Sequence, residues 1–135
     1  MRHTGGMNKG EQMADILVVD DDELMIELIS DLLIDEGHDV RSAMDGHAGL
    51  DAIAKAVPAL LILDMSMPGM DGYKVAETLR ADPRTAELPI IAFTGLDTSG
   101  DYDAAYKAGC NAFISKPLNP AQLIEVVERF VQKVA

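Results

Sequence analysis

Three short apolar runs, each ending at a polar residue, limit the possible folds of this chain more than any other feature. They form most of the segments 15–19, 60–63 and 89–93. Apolar runs of this length are typical of strands that are buried on both faces of a parallel sheet. They are far shorter than the roughly 20 residues that a membrane-spanning helix needs. The sequence therefore predicts a parallel sheet that is covered on both sides.

Two further strands and five helices fit the segments between these runs. A more polar strand at 39–43 is expected at a sheet edge, and a fifth strand is expected at 112–115. The predicted helices run from Glu23 to Gly37, from Asp45 to about Pro58, from about Tyr73 to Ala81, from about Gly100 to Ala108, and from Asn119 onward. Alternating strands and helices predict a doubly wound α/β sheet of five parallel strands. The fourth helix is weakly apolar, which suits either an unstable helix or a part that switches.

Length and composition narrow the class of protein. A chain of 135 residues is long enough for one domain. We expect residues 14–135 to form it. Residues 1–13 are expected to be a disordered tail, an artificial extension or an extension from an alternative start codon. The net charge of −12 and the 4% aromatic content argue against nucleic-acid binding. Cys110 is the single cysteine, which fits the cytoplasm, and it is expected to be a packing residue. His38 and the other histidines show no ligand spacing and are expected at the surface.

Polar residues follow four of the predicted strands. They are Asp20–Asp22, Asp64, Thr94 and Lys116. Because the carboxyl ends of parallel strands share one edge of the sheet, these side chains should converge on one site. Oxygen ligands of this kind suit Mg²⁺, and a carboxylate can act as a nucleophile toward phosphorus. An amine and a hydroxyl can hold the oxygens of a transferred phosphoryl group, so the set is sufficient for phosphoryl acceptance.

Four motifs at these positions resemble a known family. VVDDDE, LLILDMSMPGMDG, IIAFTG and AFISKP are similar to the motifs of the receiver domain of two-component response regulators, in its single-domain, chemotaxis-regulator-like form. The resemblance implies a flavodoxin-like sheet with strand order 2-1-3-4-5. It also implies a cytoplasmic phosphoacceptor that is not an enzyme, apart from promoting its own phosphorylation and slow autodephosphorylation.

The resemblance assigns the acceptor and the metal ligands. It implies that Asp64 is phosphorylated and also touches Mg²⁺, with Asp21 as a direct ligand and Asp20 holding the metal through water. The backbone carbonyl of Ser66 would be a further ligand. By the same resemblance, Ser66 and Leu96 influence the lifetime of the phosphate.

The resemblance also assigns the residues that respond to the phosphate. Thr94 and Lys116 would bind the phosphoryl group, and Thr94 and Phe113 would form the switch. The bond between Lys116 and Pro117 is expected to be cis. The switched surface would be formed by the fourth helix, the fifth strand and the fifth helix, and its partner would be a downstream protein.

Two other functions compete with this interpretation, and one residue of the acidic cluster has another possible role. Asp20-x-Asp22 resembles the motif of Mg²⁺-dependent haloacid-dehalogenase phosphohydrolases, although Leu24 stands where that motif wants Thr or Val. A flavodoxin-like redox protein would need a Ser/Thr/Gly-rich loop after the first strand, and acids occupy that place. Asp22 itself is expected to cap the first helix rather than bind metal.

The first helix is a possible docking surface. Its predicted core face includes Leu28 and Ile29, whereas Leu24, Ile26 and Ile34 lie off that face. These three side chains either pack against neighbouring helices or form an exposed patch, and we favour the patch. Its partner would be a sensor histidine kinase or a histidine phosphotransfer protein. Neither DNA binding nor membrane insertion is expected.

Overall fold

The computed structural model describes residues 14–95 and 99–131. The predicted tail at 1–13, Leu96 and the last four residues of the predicted domain lie outside this part. In chain order the elements are β1 (Asp15–Val19), α1 (Glu23–Asp35), β2 (Asp39–Ala43), α2 (Gly46–Lys55), β3 (Leu60–Leu63), α3 (Gly72–Arg80), β4 (Ile90–Thr94), α4 (Ser99–Ala108), β5 (Ala112–Ser115) and α5 (Pro120–Val131).

The five strands form one parallel sheet in the order β2-β1-β3-β4-β5. Val19 at the end of β1 is in register with Leu63 at the end of β3, so the residues that follow these two strands are neighbours. The predicted doubly wound, flavodoxin-like fold and its strand order are confirmed. The polar strand β2 lies at an edge, as its sequence indicates.

Each face of the sheet packs against a separate layer of helices. Because side chains alternate along a strand, Leu17 and Val19 face one hydrophobic core while Ile16 and Val18 face the other. The first core is completed by α2, α3 and α4, and the second by α1 and α5. Burial of apolar side chains on both faces is the main stabilising contribution to such a fold.

Among the described residues, side-chain oxygens cap the N-termini of α1, α2, α3 and α5. Asp22 Oδ1 accepts hydrogen bonds from the backbone N–H groups of Leu24 and Met25, at 3.0 and 3.4 Å. Asp45, Asp71 and Asn119 accept corresponding bonds in the first turns of α2, α3 and α5. The prediction that Asp22 is a cap is confirmed, and all four caps lie in loops at the carboxyl edge of the sheet.

The exposed patch predicted on α1 is only partly present. Leu24 and Ile34 are exposed, but Ile26 is only 8% exposed and packs in the same core as Ile29. Leu28, predicted to face the core, is 44% exposed. The prediction of an exposed Ile26 was wrong because apolar residues surround this helix, and its sequence alone does not fix which stripe faces the sheet.

His38 is buried, contrary to its predicted place at the surface. It is 3% exposed, and its Nδ1 accepts a hydrogen bond from the backbone N–H of Ala14 at 3.2 Å. Its Nε2 lies 3.7 Å from a carboxylate oxygen of Glu128. The turn after α1 folds back onto the start of β1, where Asp39 N–H donates to the carbonyl of Ala14 at 2.9 Å, and this encloses the imidazole.

Helix α4 is the most weakly anchored helix by the size of the side chains it buries. Its buried residues are Ala105 and Ala108, whereas α3 buries Val75 and Leu79 among others. The weak apolar face expected from the sequence is therefore present in the structure. None of the helices in the described ranges is long and apolar enough to cross a membrane.

Candidate functional site

Three carboxylates meet at the carboxyl edge of the sheet, at the ends of the neighbouring inner strands β1 and β3. Asp20 and Asp21 follow β1, and Asp64 follows β3. Backbone bonds set this placement: Asp64 N–H donates to the carbonyl of Val19 at 2.9 Å. One carboxylate oxygen from each of the three acids lies within 4.8 Å of the other two. Asp20 and Asp64 are buried, and Asp21 is exposed.

The approach of α3 to the end of β3 helps to fix Asp64. A Cβ atom at Gly72, the first residue of α3, would lie 2.6 Å from the backbone oxygen of Asp64 and 2.6 Å from the Cα of Met65. No side chain fits there without moving the backbone that carries Asp64. Met65 and Met67 are buried in the first core, so they are packing residues.

Asp64 has a different neighbour on each of its carboxylate oxygens. Its Oδ1 accepts hydrogen bonds from the backbone N–H and the hydroxyl of Ser66, at 3.0 and 3.2 Å. Its Oδ2 lies 3.5 Å from Lys116 Nζ. The carboxylate is thus held in one orientation, and it is only 3% exposed.

Lys116 neutralises part of the acidic cluster. Its ammonium lies 3.3 Å from Asp20 Oδ2 as well as close to Asp64, and 5.3 Å from the centre of the Phe93 ring. Burial by itself lowers the pKa of Lys116, but the attraction of Asp64 and Asp20 together outweighs burial and raises it. Lys116 is therefore a fixed positive charge at the site.

Asp20 is left with an unsatisfied oxygen. Its Oδ1 accepts a hydrogen bond from the backbone N–H of Asp22 at 2.9 Å. Its Oδ2 accepts no hydrogen bond from the described residues, because Lys116 lies close to it without the alignment that such a bond requires. Burial raises the pKa of Asp20, and the neighbouring Asp64 raises it further.

These observations test whether the residues fit a cation. Three crowded carboxylates share the positive charge of one nearby lysine, and one buried carboxylate oxygen lacks a hydrogen bond. The donors are all oxygen atoms, which is the ligand type that Mg²⁺ prefers over softer metals. The residues therefore fit a magnesium ion.

Thr94 and Lys116 come from the strands beyond β3. Thr94 is the last residue of β4 and is fully buried, with its hydroxyl 3.4 Å from the hydroxyl of Ser66. Lys116 directly follows β5, and its backbone N–H donates to the carbonyl of Thr94 at 2.8 Å. The Lys116–Pro117 bond is cis. Phe113 lies half-buried on β5 and packs against the first core, which α4 helps to form.

The structure brings together the acids, Thr94 and Lys116, and it shows two contacts that the sequence does not reveal. The Ser66 side chain links Asp64 to Thr94 through hydroxyl contacts, whereas the family resemblance implies a role mainly for its backbone carbonyl. Its position two residues after Asp64 is the only signal for this in the sequence. Tyr102 of α4 packs on Phe113, with ring centres 4.2 Å apart, and no motif marks it.

Comparisons with known proteins agree with this geometry. Residues 16–128 match the family model described as the response regulator receiver domain. The chain is 39% identical over 110 residues to the response regulator PleD of Caulobacter vibrioides, which covers 82% of this chain and 24% of PleD. It thus spans about a quarter of that relative's length. It is 29% identical over 116 residues to the polar-differentiation response regulator DivK of Brucella anthropi, covering 86% of this chain and 94% of DivK.

A solved structure supports the same assignment. The chemotaxis protein CheY4 of Vibrio cholerae aligns with a TM-score of 0.83 and 29% identity, over 87% of this chain and 98% of that one. These findings give no support to the haloacid-dehalogenase alternative. The matched residues include every acid, hydroxyl and amine of the site, and the chain belongs to the response regulator receiver domain family.

Proposed function

We propose that Asp64 is the residue that accepts the phosphoryl group in this receiver domain. Receiver domains are phosphoacceptors of two-component signalling, and the observation that carries the assignment to Asp64 is its oriented, buried carboxylate. Ser66 holds one of its oxygens, and Lys116 lies 3.5 Å from the other. Asp20 is also buried, but among the described residues its Oδ1 accepts only the backbone N–H of Asp22, and its Oδ2 would serve the magnesium ion.

The donor would be a phosphohistidine on a sensor kinase or on a histidine phosphotransfer protein. In the transfer, an oxygen of the Asp64 carboxylate forms a bond to phosphorus while the bond between phosphorus and the imidazole nitrogen breaks. The bonding electron pair stays on that nitrogen, which then takes a proton from solvent. The Lys116 ammonium stabilises the negative charge on the phosphoryl oxygens, and the Thr94 hydroxyl donates a hydrogen bond to one of them.

Asp20, Asp21, Asp64 and the backbone carbonyl of Ser66 would hold the magnesium ion. When bound, Mg²⁺ neutralises charge on the acids and on the phosphoryl oxygens. Asp21 is exposed, and Asp20 Oδ2 accepts no hydrogen bond from the described residues, so both acids would have an oxygen available for the ion or for a water bound to it. Ser66 orients the Asp64 carboxylate, and Lys116 and Thr94 orient the phosphoryl group.

The output would be a change in protein binding. Thr94 moves toward the phosphoryl group, Phe113 follows it inward, and the surface of α4, β5 and α5 changes its affinity for a downstream protein. We also propose that the domain promotes its own phosphorylation and a slow autodephosphorylation. The buried, unpaired Cys110 is compatible with work in the reducing cytoplasm.

Phosphorylation with a small donor tests the assignment to Asp64. Acetyl phosphate with MgCl₂ should add one phosphoryl group to the protein, detected by intact-protein mass spectrometry. Asp64→Asn should reduce the incorporation to background, because a neutral amide is not a nucleophile toward phosphorus. The exposed Asp51 on α2 provides the matched control: Asp51→Asn makes the same chemical change and should leave incorporation unchanged.

Two results would contradict the proposal. Unchanged incorporation in Asp64→Asn would place the phosphate on another residue. Sustained turnover of a phosphomonoester that survives Asp64→Asn would indicate a phosphohydrolase.

A further inference from the structure

The aromatic pair of Tyr102 and Phe113 joins α4, the most weakly anchored helix, to the edge strand β5 next to the site. The two rings lie with centres 4.2 Å apart and planes tilted by 59°. Close, tilted aromatic pairs contribute stabilisation beyond the area that they bury. Tyr102 is 36% exposed and Phe113 is half-buried, so the pair lies at the boundary between the first core and solvent.

Phe113 and Thr94 project from the same face of the sheet. Phe113 is in register with Ala92, and Thr94 follows Ala92 by two residues on β4. Since side chains alternate in direction along a strand, Thr94 and Phe113 are diagonal neighbours on the face that α4 covers. Any movement of the Phe113 ring relative to Thr94 must therefore pass beside α4.

Tyr102 holds the ring of Phe113 on the side of α4. Because α4 buries mainly alanines, this ring pair is a large part of what connects the helix to β5.

We propose that Tyr102 is a positioning residue that holds Phe113 against α4 and so opposes the active conformation. The inference rests on the proposed function, in which Phe113 moves toward Thr94 after phosphorylation. That movement separates the two rings, so the pair stabilises only the resting state. The domain must then break the contact to become active, and Tyr102 sets part of the equilibrium between the two states.

The consequence is a measurable change in the affinity for a phosphoryl mimic. A mimic that binds the active state better gains apparent affinity when the resting state loses stability. Tyr102→Ala should therefore tighten the binding of beryllofluoride, measured by calorimetric titration in MgCl₂. From the strength of aromatic pairs, the dissociation constant should fall by roughly two- to tenfold. Tyr102→Phe keeps the ring and should bind as the unsubstituted protein does.

The chain offers a matched control on the same helix. Tyr106 lies one turn further along α4, is 50% exposed, and forms no ring pair with Phe113. Tyr106→Ala makes the same change in side chain and helix propensity, and it should leave the affinity unchanged. In a Phe113→Leu background, adding Tyr102→Ala should have no further effect, because the pair is already lost.

The outcomes separate this inference from the proposed function. Equal or weaker beryllofluoride binding in Tyr102→Ala, with normal binding in the unsubstituted protein, would overturn the role of Tyr102 alone. Should Tyr102→Ala fail to fold by circular dichroism, Tyr102→Leu, which keeps apolar packing without a ring, decides the question by the same criterion. Absent binding in the unsubstituted protein, or equal binding in Asp64→Asn, would overturn the proposed function itself.

Discussion

At the scale of single residues, burial separates the roles of chemically similar groups. Asp20 and Asp21 are adjacent in sequence, yet only Asp20 is buried, and burial raises its pKa. Cys110 lies in the first core, where it behaves as a small apolar side chain. The sequence had suggested this role for the cysteine, and the structure confirms it.

Cys110 gives a prediction about alkaline pH. Burial raises the pKa of its thiol from the ordinary value of 9.0 to about 11, against a smaller opposing effect of Arg80. Between these two values the unfolded chain releases the thiol proton and the folded chain keeps it, so the free energy of unfolding falls as pH rises. A difference of two pH units corresponds to at most about 2.7 kcal/mol.

Urea unfolding at pH 8 and pH 11 measures this loss. In Cys110→Ala the free energy of unfolding should fall less between the two pH values, since the lysines and tyrosines titrate in both proteins and only the thiol is removed. Equal losses in the two proteins would show that the thiol ionises alike in the folded and unfolded states.

At the scale of elements, the helix starts were predictable and the orientation of one helix was not. Short polar side chains indicate the N-termini, because they accept hydrogen bonds from the backbone of the first turn. They belong to Asp22, Asp45, Asp71 and Asn119. The face of α1 was wrongly predicted at Ile26, since packing against the sheet and α5, and not the sequence period, selects the buried stripe. The pair of Tyr102 and Phe113 likewise depends on where the weakly anchored α4 settles.

The cap on α1 can be tested separately from the metal site. Asp22→Ala removes two hydrogen bonds to the first turn and should lower the free energy of unfolding by about 1 kcal/mol in urea titrations. Asp22→Ser retains an accepting oxygen and should recover most of that loss. The affinity for Mg²⁺ should stay nearly unchanged; a large loss of Mg²⁺ affinity with normal stability would mean that Asp22 is a ligand instead.

At the scale of the whole molecule, topology made the site predictable. Parallel strands bring Asp64, Thr94 and Lys116 to one edge without any long-range information in the sequence, because every strand ends there. The finer contacts, such as the link from Ser66 to Thr94, depend on side-chain orientations that no spacing encodes. The same convergence concentrates negative charge at one edge of a chain that already carries a net charge of −12.

This concentration of charge predicts a specific effect of Mg²⁺ on folding. An ion that binds only the folded state stabilises it by about 2.7 kcal/mol at a hundredfold excess over its dissociation constant. MgCl₂ should therefore raise Tm more than NaCl does at equal ionic strength, because NaCl only screens the repulsion.

Asp20→Asn should be more stable than the unsubstituted protein without Mg²⁺ and less stable than it with Mg²⁺. Without Mg²⁺ the amide should be more stable than the carboxylate at neutral pH, because burial and Asp64 raise the pKa of Asp20 and disfavour its charged form. With Mg²⁺ the substituted protein should gain less, since it lacks one of the three carboxylates that we propose as ligands of the ion. Asp51→Asn removes one exposed charge elsewhere and should respond to Mg²⁺ as the unsubstituted protein does. If Asp20→Asn and Asp51→Asn gain equally, the stabilisation is general screening and Asp20 does not help to hold the metal.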